Sequence, residues 1–244
     1  MHQNSEIKIT DDGSYTLFVP EIDECYHSTK GAIQESSFIF IEAGFKQQQK
    51  SEINLLEIGF GTGLNALLTA LQISSQPPKK GKNQYIEPLK STSKFVNYIS
   101  IELFPITIQQ ALRLNYPEII DEECREIFDK IHTSEWNKSV QITDNFALTK
   151  IHSDFTTYDL MKLLPESKFD VLYFDAFSPE KQPEMWREEM FEKLFSISAE
   201  NAVITTYSAK GAVRRAMKSA GFLVERLPGP PGKREILRGR KYSF

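Results

Sequence analysis

Apolar and polar positions along the chain fall into short blocks whose period switches between two and about 3.6, and each switch marks an element. Residues 7–10 and 15–19 flank Asp12-Gly13 and predict a β-hairpin turning at that pair. Residues 31–45 carry helical spacing. The apolar run at 53–58 is short and closed by Gly59, which predicts a buried strand, and a helix follows over 64–73. Residues 76–83 are polar and rich in breakers, and weak patterning to residue 94 predicts an insertion. Residues 95–101 predict a second strand ending at Glu102, then a helix with Pro105 in its first turn and another over 118–132. Further strands are expected at 146–151, 169–174 and 202–207. A short helix follows Asp154, and longer ones cover 183–197 and 210–220, the last closed by Gly221. Residues 222–227 and 235–238 close the chain as a hairpin.

Strands alternating with helices imply an α/β, Rossmann-like, doubly wound and mostly parallel sheet, with seven strands expected. The chain reads as one domain over 1–244, with a hairpin and helix extension at 1–50 and the core at 51–244. Ligands of such sheets bind beyond the carboxyl ends of the strands.

At 244 residues the chain can bury a substantial core. No apolar run reaches membrane-helix length, and the first residues lack the basic and apolar regions of a signal peptide. Cys25, Cys124 and the four histidines show no ligand-like spacing, so a cytoplasmic, metal-free protein off the membrane is expected. The formal net charge is −4, but residues 210–241 hold ten Lys/Arg against Glu225 and Glu235, leaving −12 on the rest. That asymmetry suggests a phosphate-facing patch, or else a solvated helix face with loop charges.

Candidate chemistry begins at Leu55-Leu-Glu-Ile-Gly-Phe-Gly-Thr-Gly-Leu-Asn65. Gly59, Gly61 and Gly63 allow the backbone to pass close to a ligand. The spacing departs from the dinucleotide fingerprint, and Glu57 would repel phosphate while suiting an amino group. That combination fits S-adenosylmethionine, although a tight turn in some other α/β protein has the same local signature. Carboxylates also close later strands. Glu102 is placed for ribose hydroxyls, Asp154 for an adenine amine with Phe155 against the ring, and Asp175 for the site of methyl delivery. The glycines and Glu102 lie further apart than the roughly 20 residues of a dinucleotide site, which the insertion explains. Each acid taken singly also fits a helix cap. Asp175 is the expected catalytic group, accepting an amine's N–H bonds and its proton.

Several motifs together resemble the methyltransferase domain of the tRNA wobble-uridine enzymes known as MnmC, or MnmD when it stands alone. They are Tyr26, Ser28, Gly31 and Glu35, then Gly59 to Asn65, Glu102-Leu-Phe-Pro-Ile-Thr107 and Asp154. The long block Asp175-Ala-Phe-Ser-Pro-Glu-Lys-Gln-Pro-Glu-Met-Trp186 and Gly232-Lys-Arg-Glu-Ile-Leu-Arg-Gly239 complete the set. The resemblance implies a class I S-adenosylmethionine-dependent methyltransferase fold. It also implies methylation of 5-aminomethyl-(2-thio)uridine at position 34 of tRNA. Cofactor roles would fall on Glu57, Gly59, Gly61, Gly63, Glu102 and Asp154, and the catalytic role on Asp175. Tyr26, Glu35, Phe177 and Trp186 would wall the base pocket, although Tyr26 and Trp186 also suit plain packing. Lys210, Arg214, Arg215, Lys233, Arg234, Arg238 and Arg240 would meet the anticodon stem-loop. Ala176 stands where the family has glycine, and no second glycine fingerprint is present, so flavin chemistry is not expected. Action on a protein or small-molecule amine, and a non-catalytic binding role, remain open alternatives at this point.

Overall fold

The most apolar runs become the middle of a sheet. The computed structural model describes residues 5–74, 94–164 and 168–242. Strands β1 (Glu6–Ile9), β2 (Tyr15–Val19) and β3 (Glu24–Cys25) form a small antiparallel sheet. A larger sheet contains β4 (Glu52–Ile58), β5 (Phe95–Glu102), β6 (Ser139–Thr143), β7 (Phe146–His152), β8 (Phe169–Phe174), β9 (Ser198–Thr206), β10 (Leu223–Pro228) and β11 (Glu235–Arg240). Its order is β10-β11-β9-β8-β4-β5-β7-β6. The four central pairings are parallel and the outer ones antiparallel. Parallel strands covered on both faces are largely apolar on both, which is why β4 and β8 read as short, mostly hydrophobic runs.

The helices are α1 (Ala32–Ser36), α2 (Leu64–Gln72), α3 (Ile108–Ala111), α4 (Tyr116–Ile120), α5 (Arg125–Thr133), α6 (Glu188–Ile197) and α7 (Gly211–Ser219). Ile53 and Leu55 of β4 pack into the core that includes α1, α2 and α5, while Leu56 and Ile58 pack into the core with α6 and α7. This alternation along β4 later decides where Glu57 points. Among the described residues no helix is long and apolar enough to cross a membrane.

Several expectations need correction. The large sheet has eight strands, not seven, because Ser139–Thr143 adds an antiparallel edge. Only Ile142 of that strand is buried, so it carries no apolar alternation to find. The helix expected at Pro105 starts at Ile108, after the N-cap Thr107, whose hydroxyl forms a capping box with Gln110. The helix expected over 118–132 is broken by Asp121, which is extended (φ −170°, ψ 128°) and caps the next turn by accepting from Glu123 N. Residues 31–45 begin as α1, then widen into a π-turn over Ser37–Glu42 and tighten at Phe45–Gln47. Residues 183–197 divide into a 3₁₀ turn, Pro183–Trp186, and α6, with Arg187 extended between them. The fifth core strand begins at Ser198, before the expected residue 202. The insertion expected at 76–94 lies outside the described residues except for Lys94.

Candidate active site

Where β4, β5 and β8 end, the backbone is tied into one knot. Gly59 N donates to Ile101 O at 3.0 Å, and Asp175 N donates to Ile58 O at 2.9 Å. Gly59 has φ +91°, and a Cβ there would lie 2.5 Å from the Asp175 carbonyl oxygen. Gly61 has φ +50°, and its Cβ would lie 2.9 Å from Tyr26 Cδ1. Glycine is needed at both positions for conformation and for space. Gly61 N also donates to Glu102 Oε2 at 3.1 Å, and Phe104 N donates to Glu102 Oε1 at 2.8 Å. Two backbone donors therefore fix the Glu102 carboxylate at the end of β5.

Over these strand ends lies a cavity of about 380 Å³, within the range that holds small-molecule ligands. Glu102, Asp154, Phe155 and Asp175 all line it, as do Gly59 and Gly61. Asp154 Oδ1 accepts from Thr156 N at 2.8 Å and from Thr156 Oγ1 at 2.7 Å. Tyr26 and Phe177 meet edge to face at 5.0 Å on the wall. Glu35 accepts from Ser28 N at 2.8 Å and pairs with Lys233 at 3.1 Å, and Lys233 lies 4.6 Å above the Tyr207 ring.

Asp175 lies deep in this cavity. Burial pushes its carboxyl up to about 7, opposed by the hydrogen bond from Asn65, reinforced by Glu35 and opposed again by Lys233. Among the described residues the lining carries six carboxylates, Glu24, Glu35, Glu102, Asp154, Asp175 and Glu184, against the single Lys/Arg cation Lys233. Such a wall repels phosphate and favours cationic groups. The glycine cradle and this donor set fit S-adenosylmethionine, which carries an ammonium and a sulfonium. Gly59, Gly61, Glu102, Asp154 and Phe155 share the wall that would meet it.

The structure moves other expected residues off the wall. Glu57 is fully buried and does not line the cavity; it points under α2, accepting from Asn65 Nδ2 at 3.0 Å and Ser100 Oγ at 2.7 Å. Gly63 also stands back from the cavity, as the left-handed N-cap of α2. Trp186 is buried behind the wall, donating to Phe177 O at 2.8 Å and packing edge-on to Phe174 and Tyr207. Arg238 and Arg240 turn inward, Arg238 to Glu225 at 2.7 Å and Arg240 to Gln47 at 2.9 Å. Lys210 is paired with Glu180, while Arg215 and Arg234 are exposed and Arg214 is half-buried. Residues 26 and 35 thus do join 175, 177 and 233 around one space.

Asn65, Tyr207 and Glu24 are among the lining residues that had no role assigned from sequence. Tyr207 donates to Ala176 O at 2.9 Å, and Glu24 accepts from both Ser178 N and Ser178 Oγ. These bonds clamp the Asp175 loop to β9 and to the N-terminal sheet. Only Asn65 had a local signal, its place next to the glycine turn.

Burial pushes the Glu57 carboxyl up to about 8 from its ordinary 4.5, helped by the charge of Asp175 and opposed by Ser100 and Asn65. A raised value in the folded state contributes stability below the unfolded value and loses it as pH climbs toward the folded one. Thermal melts of the ligand-free protein should therefore fall between about pH 5 and pH 8, and fall less steeply in Glu57→Gln. Parallel melting curves for the two proteins across that window would show that Glu57 is charged in the folded state.

Residues 122–242 match the family model described as S-adenosyl-L-methionine-dependent methyltransferase. The tRNA 5-methylaminomethyl-2-thiouridine biosynthesis bifunctional protein MnmC of Actinobacillus pleuropneumoniae is 28% identical over 238 residues, covering 91% of this chain and 33% of the relative. Its namesake from Aeromonas hydrophila is 29% identical over 237 residues, with the same coverage of 91% and 33%. The chain thus spans about a third of the length of the curated relatives it matches. The crystal structure of MnmC2 from Aquifex aeolicus superposes with a TM-score of 0.74 and 25% identity, covering 97% of this chain and 70% of that one. With these matches added to the cavity and its strand-end acids, the chain belongs to the S-adenosyl-L-methionine-dependent methyltransferases, as an MnmC-like methyltransferase domain.

Proposed function

We propose that the protein methylates the primary amine of 5-aminomethyl-(2-thio)uridine at the wobble position of tRNA, giving the 5-methylaminomethyl nucleoside. One observation carries this reading. A second carboxylate, Glu35, and the aromatic pair Tyr26–Phe177 share one cavity with Asp175, as an extruded base bearing a cationic side chain requires. Bases held outside a helix are gripped by aromatic faces and edge hydrogen bonds. The names of the relatives support the choice of substrate.

When bound, S-adenosylmethionine supplies an electrophilic methyl group on a positive sulfur. Asp175 accepts the amine's N–H bonds and turns the nitrogen lone pair toward that methyl. Methyl transfer would leave the nitrogen cationic, and Asp175 would take the proton that nitrogen sheds. A carboxyl poised near neutrality can hold that proton and release it again. Tyr26 and Phe177 exclude water from this exchange.

The direct test is incubation with labelled S-adenosylmethionine and tRNA bearing 5-aminomethyluridine, with mass analysis of the position-34 nucleoside. Gain of one methyl is expected. Transfer to a protein or small amine, with tRNA untouched, would overturn the reading.

The α7 face carries Arg214, Arg215 and Lys218 with no acid on the helix itself. Reversing the charge of Arg214 and Arg215 should weaken tRNA binding and lower the slope of log affinity against log salt by about one per lost phosphate contact. Binding isotherms at several salt concentrations check this. An unchanged slope would remove α7 from the RNA interface.

A further inference from the structure

Asn65 stands on the first turn of α2, almost wholly buried, and its amide nitrogen reaches two carboxylates at once. Nδ2 donates to Asp175 Oδ2 at 2.8 Å and to Glu57 Oε1 at 3.0 Å. Both of its hydrogens are used, and the buried Oδ1 has no partner. Turning the amide over would set that oxygen against both acids, so the two carboxylates fix its orientation. Glu57 is held in turn by Ser100 Oγ at 2.7 Å. A chain of side chains therefore runs from the middle of the sheet to the deepest acid of the cavity.

We propose that Asn65 is a positioning residue for Asp175, and that the buried carboxyl of Glu57 acts through Asn65 and not by touching the cofactor. The proposal rests on the reading of Asp175 as the group that receives the amine. An acid two residues before the glycine turn suggests contact with the methionine amino group, but the alternation of β4 points Glu57 beneath α2. From there it reaches the chemistry through the Asn65 amide.

The surrounding charges give the arrangement a direction. Asp175 is faced by Glu35 from α1, Lys233 from the loop before β11 and Tyr207 after β9. Glu57 is faced by Asp175 from the end of β8, Tyr98 from β5 and Tyr173 from β8. Burial raises both carboxyls, and the charge of Asp175 is among the causes that raise Glu57. A charged Asp175 therefore makes Glu57 harder to ionise. The Asn65 hydrogen bond favours the charged form of Asp175. It holds the carboxylate both anionic and aimed.

The experiment compares Asn65→Ala and Glu57→Gln with the unaltered protein. It uses calorimetry with S-adenosylmethionine and steady-state kinetics on tRNA bearing 5-aminomethyluridine across pH. Asn65→Ala should bind the cofactor within about threefold and lose about 100-fold in kcat with little change in KM, as a misplaced reacting group does. Its acid limb should also move up by about one pH unit, because a hydrogen bond to the charged carboxyl is gone. The amine's own ionisation is common to both proteins, so the difference reads Asp175. Glu57→Gln keeps an oxygen for Asn65 and should bind the cofactor within about threefold, losing about tenfold in kcat. A loss of cofactor affinity beyond about tenfold in Glu57→Gln, about 1.4 kcal/mol, would mean that Glu57 touches the cofactor, and would overturn the proposal. A wild-type kcat and acid limb in Asn65→Ala would overturn it as well. If Asn65→Ala does not fold, Glu57→Gln decides the matter alone. Full activity of Asp175→Asn would instead remove the underlying reading, a result distinct from either outcome above.

Discussion

Asp175→Asn should bind S-adenosylmethionine within about threefold of the unaltered protein and turn over about 1,000-fold more slowly, the scale of losing a positioned proton acceptor. The substitution is isosteric, and the backbone bonds of residue 175 to the end of β4 do not involve its side chain. Asn65 presents a donor at 2.8 Å, so the new amide must turn its oxygen toward Asn65. Its NH2 group then faces the incoming amine, donor against donor. It can neither orient the lone pair nor take up a proton. Calorimetry and single-turnover methyl transfer separate the two effects. An active Asp175→Asn enzyme would assign the amine to Glu35, the next acid of the same cavity.

How far the sequence reveals this site depends on where each contact comes from. The strands that carry it were legible because β4, β5 and β8 are buried on both faces and cannot hide their apolar runs. The strand-end acids were legible for a related reason: a doubly wound sheet gathers its carboxyl ends at one crevice, so order along the chain becomes proximity in space. Glu57 does stand just before the end of β4, but position along the strand does not tell which way its side chain points. It shares a face with Ile53 and Leu55, and that parity sends it under α2. The clamp of Glu24 on Ser178 spans 154 residues and leaves no local trace. Arg238 and Arg240 illustrate the same limit. Counted along the chain they belong to a basic tail, but on β11 they alternate onto the face that meets Ala43 and Gln47. Edge strand β6 and the π-turn after α1 were hidden because neither presents a regular apolar period.

Gly59→Ala should cost about 2–4 kcal/mol of stability and weaken S-adenosylmethionine binding by about 100-fold or more. Two penalties fall on the same atom. The positive φ of +91° is unfavourable for any residue with a Cβ, and that Cβ would sit 2.5 Å from the Asp175 carbonyl oxygen and 3.0 Å from its carbon. The obstacle is backbone, so it cannot swing aside. Relief requires the ends of β4 and β8 to part, which displaces the residue that the chemistry depends on. Gly61→Ala makes the informative contrast. Its Cβ would meet the Tyr26 ring at 2.9 Å, a side chain in the loop just after β3, and a side chain can give way where backbone cannot. Its stability should fall less, and adding Tyr26→Ala should restore part of its cofactor affinity. The same second substitution should do nothing for Gly59→Ala. Denaturant melts and calorimetry on the four variants check the pattern. Equal rescue of both glycine variants would show that the Asp175 carbonyl is not the obstacle at residue 59, and rescue of neither would show that loss of glycine conformation alone governs the turn.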